Sequence, residues 1–148
     1  MHHRGTEGTK QEENGVEGMK DFHELEVWRR AHELNRFVYA LVKTYPGLVE
    51  HGLAPPMRRA SIAIASNIAE GCGGSGNSGA ERWYFNAAMG EASALEYLVL
   101  LAFELRLIPY DRTEWFTGMA VEIQRMLLSM LKEKTTESRA PASLTLVQ

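Results

Sequence analysis

The sequence predicts an all-α fold, an up-and-down four-helix bundle, and three observations carry that prediction. An acceptor side chain stands three residues ahead of a glutamate at Asp21 with Glu24, Ser78 with Glu81 and Asp111 with Glu114, the reciprocal pattern that satisfies free N–H groups where helices begin. Apolar residues recur at spacings of three and four through most of the chain between these points. No segment shows the alternation of apolar and polar residues that a half-buried strand requires.

The first helix is expected from Asp21 to about Tyr45, where Pro46-Gly47 interrupt it. Its apolar residues, among them Val27, Trp28, Ala31, Leu34, Phe37, Val38 and Leu41, spread over roughly 200° of the helical wheel, against the roughly 100° stripe of an ordinary surface helix. A helix with that much apolar surface needs two packing partners.

The second helix is expected from about Pro56 to Glu70. Pro55-Pro56 supply the fixed φ of a first turn, and Gly71 is read as the left-handed residue that ends the helix. Met57, Ala60, Ser61, Ile64 and Ile68 fall on one face, while Arg59, Ser66 and Glu70 line the opposite one with Asn67 at its edge. So many small residues leave little bulk, so a neighbouring helix can approach closely.

The third helix, from about Gly79 to Leu107, is apolar nearly all round, and its charges at Glu91, Glu96, Glu104 and Arg106 share no face. It is expected to be buried on most sides. Those same charges leave no uninterrupted apolar run near the ~20 residues of a membrane span, so no membrane role is expected. The fourth helix, opened by Asp111, carries Phe116, Met119, Ile123, Met126 and Met130 at alternating spacings of three and four, a seam suited to bundle packing.

The bundle is therefore expected over residues 21–134, with disordered tails over 1–20 and 135–148. The full chain of 148 residues, 45% hydrophobic and 24% charged, fits one globular domain. Its net charge of −3 gives no global basic field to draw in nucleic acid. A single cysteine, Cys72, excludes an internal disulfide, and with no signal-peptide pattern the expected location is cytoplasmic.

Arg59-Ala60-Ser61 followed by Ser66-Asn67-Ile68-Ala69-Glu70-Gly71 is the most specific string in the chain. Together with Leu25 to Trp28, Ala31 and the stretch from Gly90 to Ala102, it resembles the small four-helix-bundle family named for proteins encoded in 23S ribosomal RNA intervening sequences. The resemblance runs from Asp21 to Lys134. It implies a ring-like homo-pentamer with no established enzymatic activity and no cofactor. Related accessory variability determinants of diversity-generating retroelements bind a reverse transcriptase and RNA, and are strongly basic, as this chain is not. The chain also departs from the family at Pro56, Ala63, Ala65 and Ala94 and in a loop whose customary arginine is replaced by glycine. Met19 lies just before the point where family members usually begin, which leaves Met1 and Met19 as alternative natural starts.

Catalytic chemistry is not expected. None of His23, His32 or His51 follows a glutamate by three residues, so the Glu-x-x-His pairs of a di-iron bundle are missing and no metal site is predicted. The glycine-rich loop from Gly71 to Gly79 contains no lysine and follows no strand, unlike a nucleotide-binding P-loop. Arginine is the functional lead: Arg29, Arg30 and Arg36 on the first helix, Arg58 and Arg59 on the second and Arg82 on the third would be repeated around a ring, building a local positive patch from an acidic chain. Arg29, Arg30, Arg58, Arg59 and Arg82 are the candidate contacts to RNA or a protein partner. Arg59, Asn67, Glu70 and Gly71 are read as structural, with Asn67 bonded to local backbone and Glu70 paired to Arg58 or Arg59 of a neighbouring helix or subunit. The function predicted is a non-catalytic, homo-oligomeric interaction module. The alternative is an RNA-binding accessory protein for a reverse transcriptase or ribosomal RNA.

Overall fold

The chain enters the fold through a 3₁₀ turn, Phe22–Glu24, in which the Asp21 carboxylate accepts the His23 N–H at 3.0 Å. Leu25 is extended, and α1 begins only after it, at Glu26. The capping pair Asp21 and Glu24 thus opens a turn, not the helix itself. The computed structural model describes the backbone over residues 21–73 and 78–146, and side chains over 21–73 and 79–133. The expected tail over 1–20, the Met19 start and most of the glycine-rich loop lie outside the described residues.

Four long helices follow: α1 (Glu26–Thr44), α2 (Ala54–Cys72), α3 (Ser78–Glu104) and α4 (Tyr110–Leu146), with a one-turn helix, Gly47–Glu50, between the first two. Each packs on the next in sequence, most extensively α2 on α3, and α4 closes the bundle against α1 through a much looser contact. Val27, Leu34 and Val38 of α1 meet Met57, Ile64 and Ile68 of α2, Phe85, Leu95 and Val99 of α3, and Ile123 and Leu127 of α4 in one core. Full burial of one such side chain contributes about 1.5–3 kcal/mol, which the ordering of the chain largely offsets. The whole predicted inner face of α2 is buried, including Ser61, whose hydroxyl lies 2.8 Å from Asn35 Oδ1 on α1 and 3.1 Å from the Arg58 carbonyl.

Helix ends differ from the sequence reading in three places. Gly71 does not end α2: it is helical and buried, and a β-carbon there would lie 2.9 Å from Phe85 Cε1 and 3.0 Å from Tyr84 Cβ. Glycine is needed at that position because α3 comes so close, and the helix continues to Cys72. α3 ends at Glu104, where Arg106 takes a left-handed φ of 60° while Arg106 and Leu107 N–H groups bond the Phe103 and Ala102 carbonyls, each at 2.9 Å. α4 begins at Tyr110, so Asp111 lies inside the first turn, where its charge complements the helix dipole. The same helix runs on to Leu146.

The expectation for α3 also needs correction. Phe85, Ala88, Ala92, Leu95, Val99 and Ala102 are buried, but the outward face is not: Trp83 is 64% and Tyr97 61% exposed. Among the described residues no other element covers that face. Among the described residues, no helix is long and apolar enough to cross a membrane.

Candidate interaction surface

The candidate arginines are not gathered into one patch. Arg30 points between α1 and α4, where it donates to Glu26 at 3.1 Å and meets Glu122 Oε1 at 2.9 Å. Its neighbour Arg29 is about 100° further round the wheel, faces outward, and donates to the His23 carbonyl at 3.2 Å. Arg58 lies over the Tyr39 ring, 5.8 Å from its centroid, which ties α2 to α1. Arg59 is exposed on α2, and Arg82 is exposed near the start of α3. Arg30 and Arg58 therefore hold helices together within one chain.

The family motif has the local character expected of Asn67, whose amide donates to the Ala63 carbonyl at 2.8 Å. Arg59 and Glu70 are both exposed on α2, eleven positions and hence about 16.5 Å apart along the axis, too far to pair within one chain. No ion pair joins Glu70 to Arg58 or Arg59 among the described residues.

Two surfaces emerge from the fold. On α3, Trp83, Ala87, Gly90, Ala94 and Tyr97 follow one another at spacings of four and three, the repeat of a helix-packing seam. This seam faces away from the core, with small residues at its centre and exposed aromatic rings on either side. A β-carbon at Gly90 would meet no atom within 4 Å, so nothing in the single chain requires glycine there. The spacing was the available signal, hidden because a helix apolar on every side shows no contrast between faces.

The second surface is the trough between α1 and α4. Arg29, Arg36 and Lys43 are exposed at intervals of seven on α1, a stripe with steps of about 10.5 Å. Beside it run two adjoining hollows of about 270 and 510 Å³ that share Glu33, Phe37 and Ala40. The Phe37 and Trp115 rings meet across the trough with centroids 4.8 Å apart, and Arg112 of α4 forms its far wall. At the start of α1, Trp28 stacks on His32 at 4.9 Å and touches His23 edge-on at 5.1 Å. His23 Nδ1 lies 2.6 Å from Asp21 Oδ1, and that bond, followed by the backbone N–H of His23, holds the Asp21 carboxyl below the usual carboxylate range.

Four long helices around one core, with an exposed seam on the third, define an all-α helical-bundle protein. The model of the family described as 23S rRNA-intervening sequence protein matches residues 23–129, and the chain belongs to that family. A crystal structure of a protein of unknown function from the S23 ribosomal protein family of Bacteroides thetaiotaomicron is similar, with a TM-score of 0.61 and 24% identity over 72% of this chain and 95% of that one. At that identity the likeness shows the fold. No curated protein matches the chain.

Proposed function

We propose that the protein is a non-catalytic interaction module that works as a homo-oligomer in the cytoplasm, its copies joined through the outward seam of α3. The observation that carries this reading is Gly90 between exposed Trp83 and Tyr97. Glycine inside a helix lowers stability by about 0.5–1 kcal/mol relative to alanine, and the single chain gives no return for it. A second helix crossing at that point does, because the missing side chain lets the two backbones approach while the flanking rings are covered. The stoichiometry of five and the ring arrangement rest on the family resemblance. Sedimentation velocity tests the reading: the wild type should sediment well above the 16.6 kDa of one chain, and Gly90→Leu should fall towards it with helical content intact. A monomeric wild type at micromolar concentration would remove the proposal.

A second reading, an RNA-binding accessory protein for a reverse transcriptase or ribosomal RNA, is favoured by one observation: the outward stripe of Arg29, Arg36 and Lys43. Among the described residues Arg36 and Lys43 make no ion pair, so their charge is available to phosphate. Repeated in an oligomer, the stripe would give a locally basic surface on a chain of net charge −3. Binding of structured and unstructured RNA that weakens linearly in log affinity against log salt is the expected signature.

A further inference from the structure

We infer that the trough between α1 and α4 takes a single-stranded segment of nucleic acid, with phosphates against Arg29, Arg36 and Arg112 and a base laid on the paired rings of Phe37 and Trp115. This rests on the RNA-binding reading and deepens it by naming the strand form and the groove. The two hollows share Glu33, Phe37 and Ala40: the first lies between α1 and α4, the neighbouring long helices that pack on each other least, and the second continues from it along the outer face of α1. Three arginines against one glutamate, Glu33, line the two, in a chain whose net charge is −3. The trough is thus charged opposite to the molecule that carries it. The side chains of Arg36 and Arg112 form no hydrogen bond or ion pair among the described residues.

Strand form follows from the rings. Phe37 is 41% and Trp115 39% exposed, their ring planes are tilted by 58° to each other, and both line the hollow that Arg112 also lines. A duplex keeps its bases stacked inside and would touch the cations alone, leaving the rings wet. A single strand offers phosphates and base faces together, the combination that cation-lined, aromatic-floored grooves accept without sequence preference. An acidic peptide would satisfy the arginines but brings no flat face to the rings.

Fluorescence anisotropy with the full-length protein tests this, using a labelled twelve-nucleotide single-stranded RNA, the same sequence as a duplex, and an oligoglutamate peptide. The single strand is expected to bind at least ten-fold more tightly than the duplex or the peptide. Arg36→Gln should weaken it several-fold more than Ser66→Glu, which makes the same change in net charge on the exposed face of α2. Trp115→Leu should weaken it about ten-fold while leaving the salt slope unchanged, because stacking releases no counterions. Circular dichroism and mass of each variant confirm that fold and assembly persist, and Phe37→Leu provides a second test of the rings if Trp115→Leu does not fold. Equal effects of Arg36→Gln and Ser66→Glu, with RNA still bound, would overturn the groove while the RNA-binding reading stands. Equal affinity for duplex, or preference for the peptide, would overturn the strand assignment. No binding of any RNA by the wild type would overturn both.

Discussion

Gly71 of α2 sits against the ring of Phe85 of α3 with no room for a β-carbon, which would lie 2.9 Å from Cε1. Phe85 is 1% exposed, so its ring has nowhere to retreat, and the next obstacle is the Cβ of Tyr84, fixed to its backbone. Gly71→Ala gains up to about 1 kcal/mol in helix propensity. The overpacking costs about 1–3 kcal/mol, and here the larger value applies because both obstacles are rigid. Net destabilisation of about 1–2 kcal/mol is expected in urea unfolding at fixed protein concentration. Unchanged or raised stability would mean that α2 and α3 shift apart freely.

The turn after α3 makes the opposite prediction. Gly52 and Arg106 occupy equivalent places: each has a left-handed φ, 76° and 60°, and each is followed by a residue bonded five positions back, Leu53 to Leu48 and Leu107 to Ala102. A side chain in that conformation costs about 1–2 kcal/mol, partly offset by the greater freedom of glycine in the unfolded chain. Arg106 is exposed and makes no bond that its replacement would lose. Arg106→Gly should therefore stabilise by up to about 1 kcal/mol, and Gly52→Ala should destabilise by a similar amount. Thermal unfolding of both variants at one concentration checks the pair; a lower melting temperature for Arg106→Gly would contradict it.

Helix faces are legible in the sequence where apolar and polar residues contrast, and less so where a distant residue sets the local choice. Met57, Ile64 and Ile68 declare their face by periodicity, and all three are buried. Gly71 after a polar Glu70 looks like a helix end because the reason for it, the Phe85 ring, lies fourteen positions away on another helix. Arg29 and Arg30 are adjacent in sequence and alike in chemistry, yet one faces solvent and the other Glu122; only knowledge of which helix neighbours α1 separates them. The seam on α3 was legible in principle from its spacing, but on a helix apolar all round no polar face marks out the exposed one.

The entry turn titrates in a defined direction. Asp21 is held below the usual carboxylate range chiefly by the His23 side chain, so its contribution to the turn is present above the ordinary carboxylate pKa, about 3.9, and is lost as pH falls through the lower folded value. Carboxyl chemical shifts followed by NMR should place Asp21 below that ordinary value, and His23→Ala should move it upward. The residual bond from the backbone N–H of residue 23 should keep it from returning fully. An Asp21 that titrates unchanged in His23→Ala would show that the 2.6 Å contact is absent in solution.

Arg30 supplies the last prediction, since its two carboxylate partners link α1 to α4 where the bundle is loosest. Glu26 is four residues away on the same helix, and Glu122 comes from the facing one at 2.9 Å. All three side chains are exposed by about a third or more, at 35%, 61% and 45%, so water and salt screen the charges. Pairs of this kind contribute about 0.2–1 kcal/mol each, and the shared oxygen geometry at Glu26 does not raise that. Arg30→Ala is therefore expected to destabilise by no more than about 1 kcal/mol at low salt. With a screening length near 10 Å at 0.1 M and about 3 Å at 1 M, the difference from wild type should shrink as salt rises. Hydrogen exchange should quicken selectively along the α1–α4 seam while the α2–α3 interface keeps its protection. A loss of more than about 3 kcal/mol, insensitive to salt, would instead mark Arg30 as a buried charge clamp of the assembled oligomer.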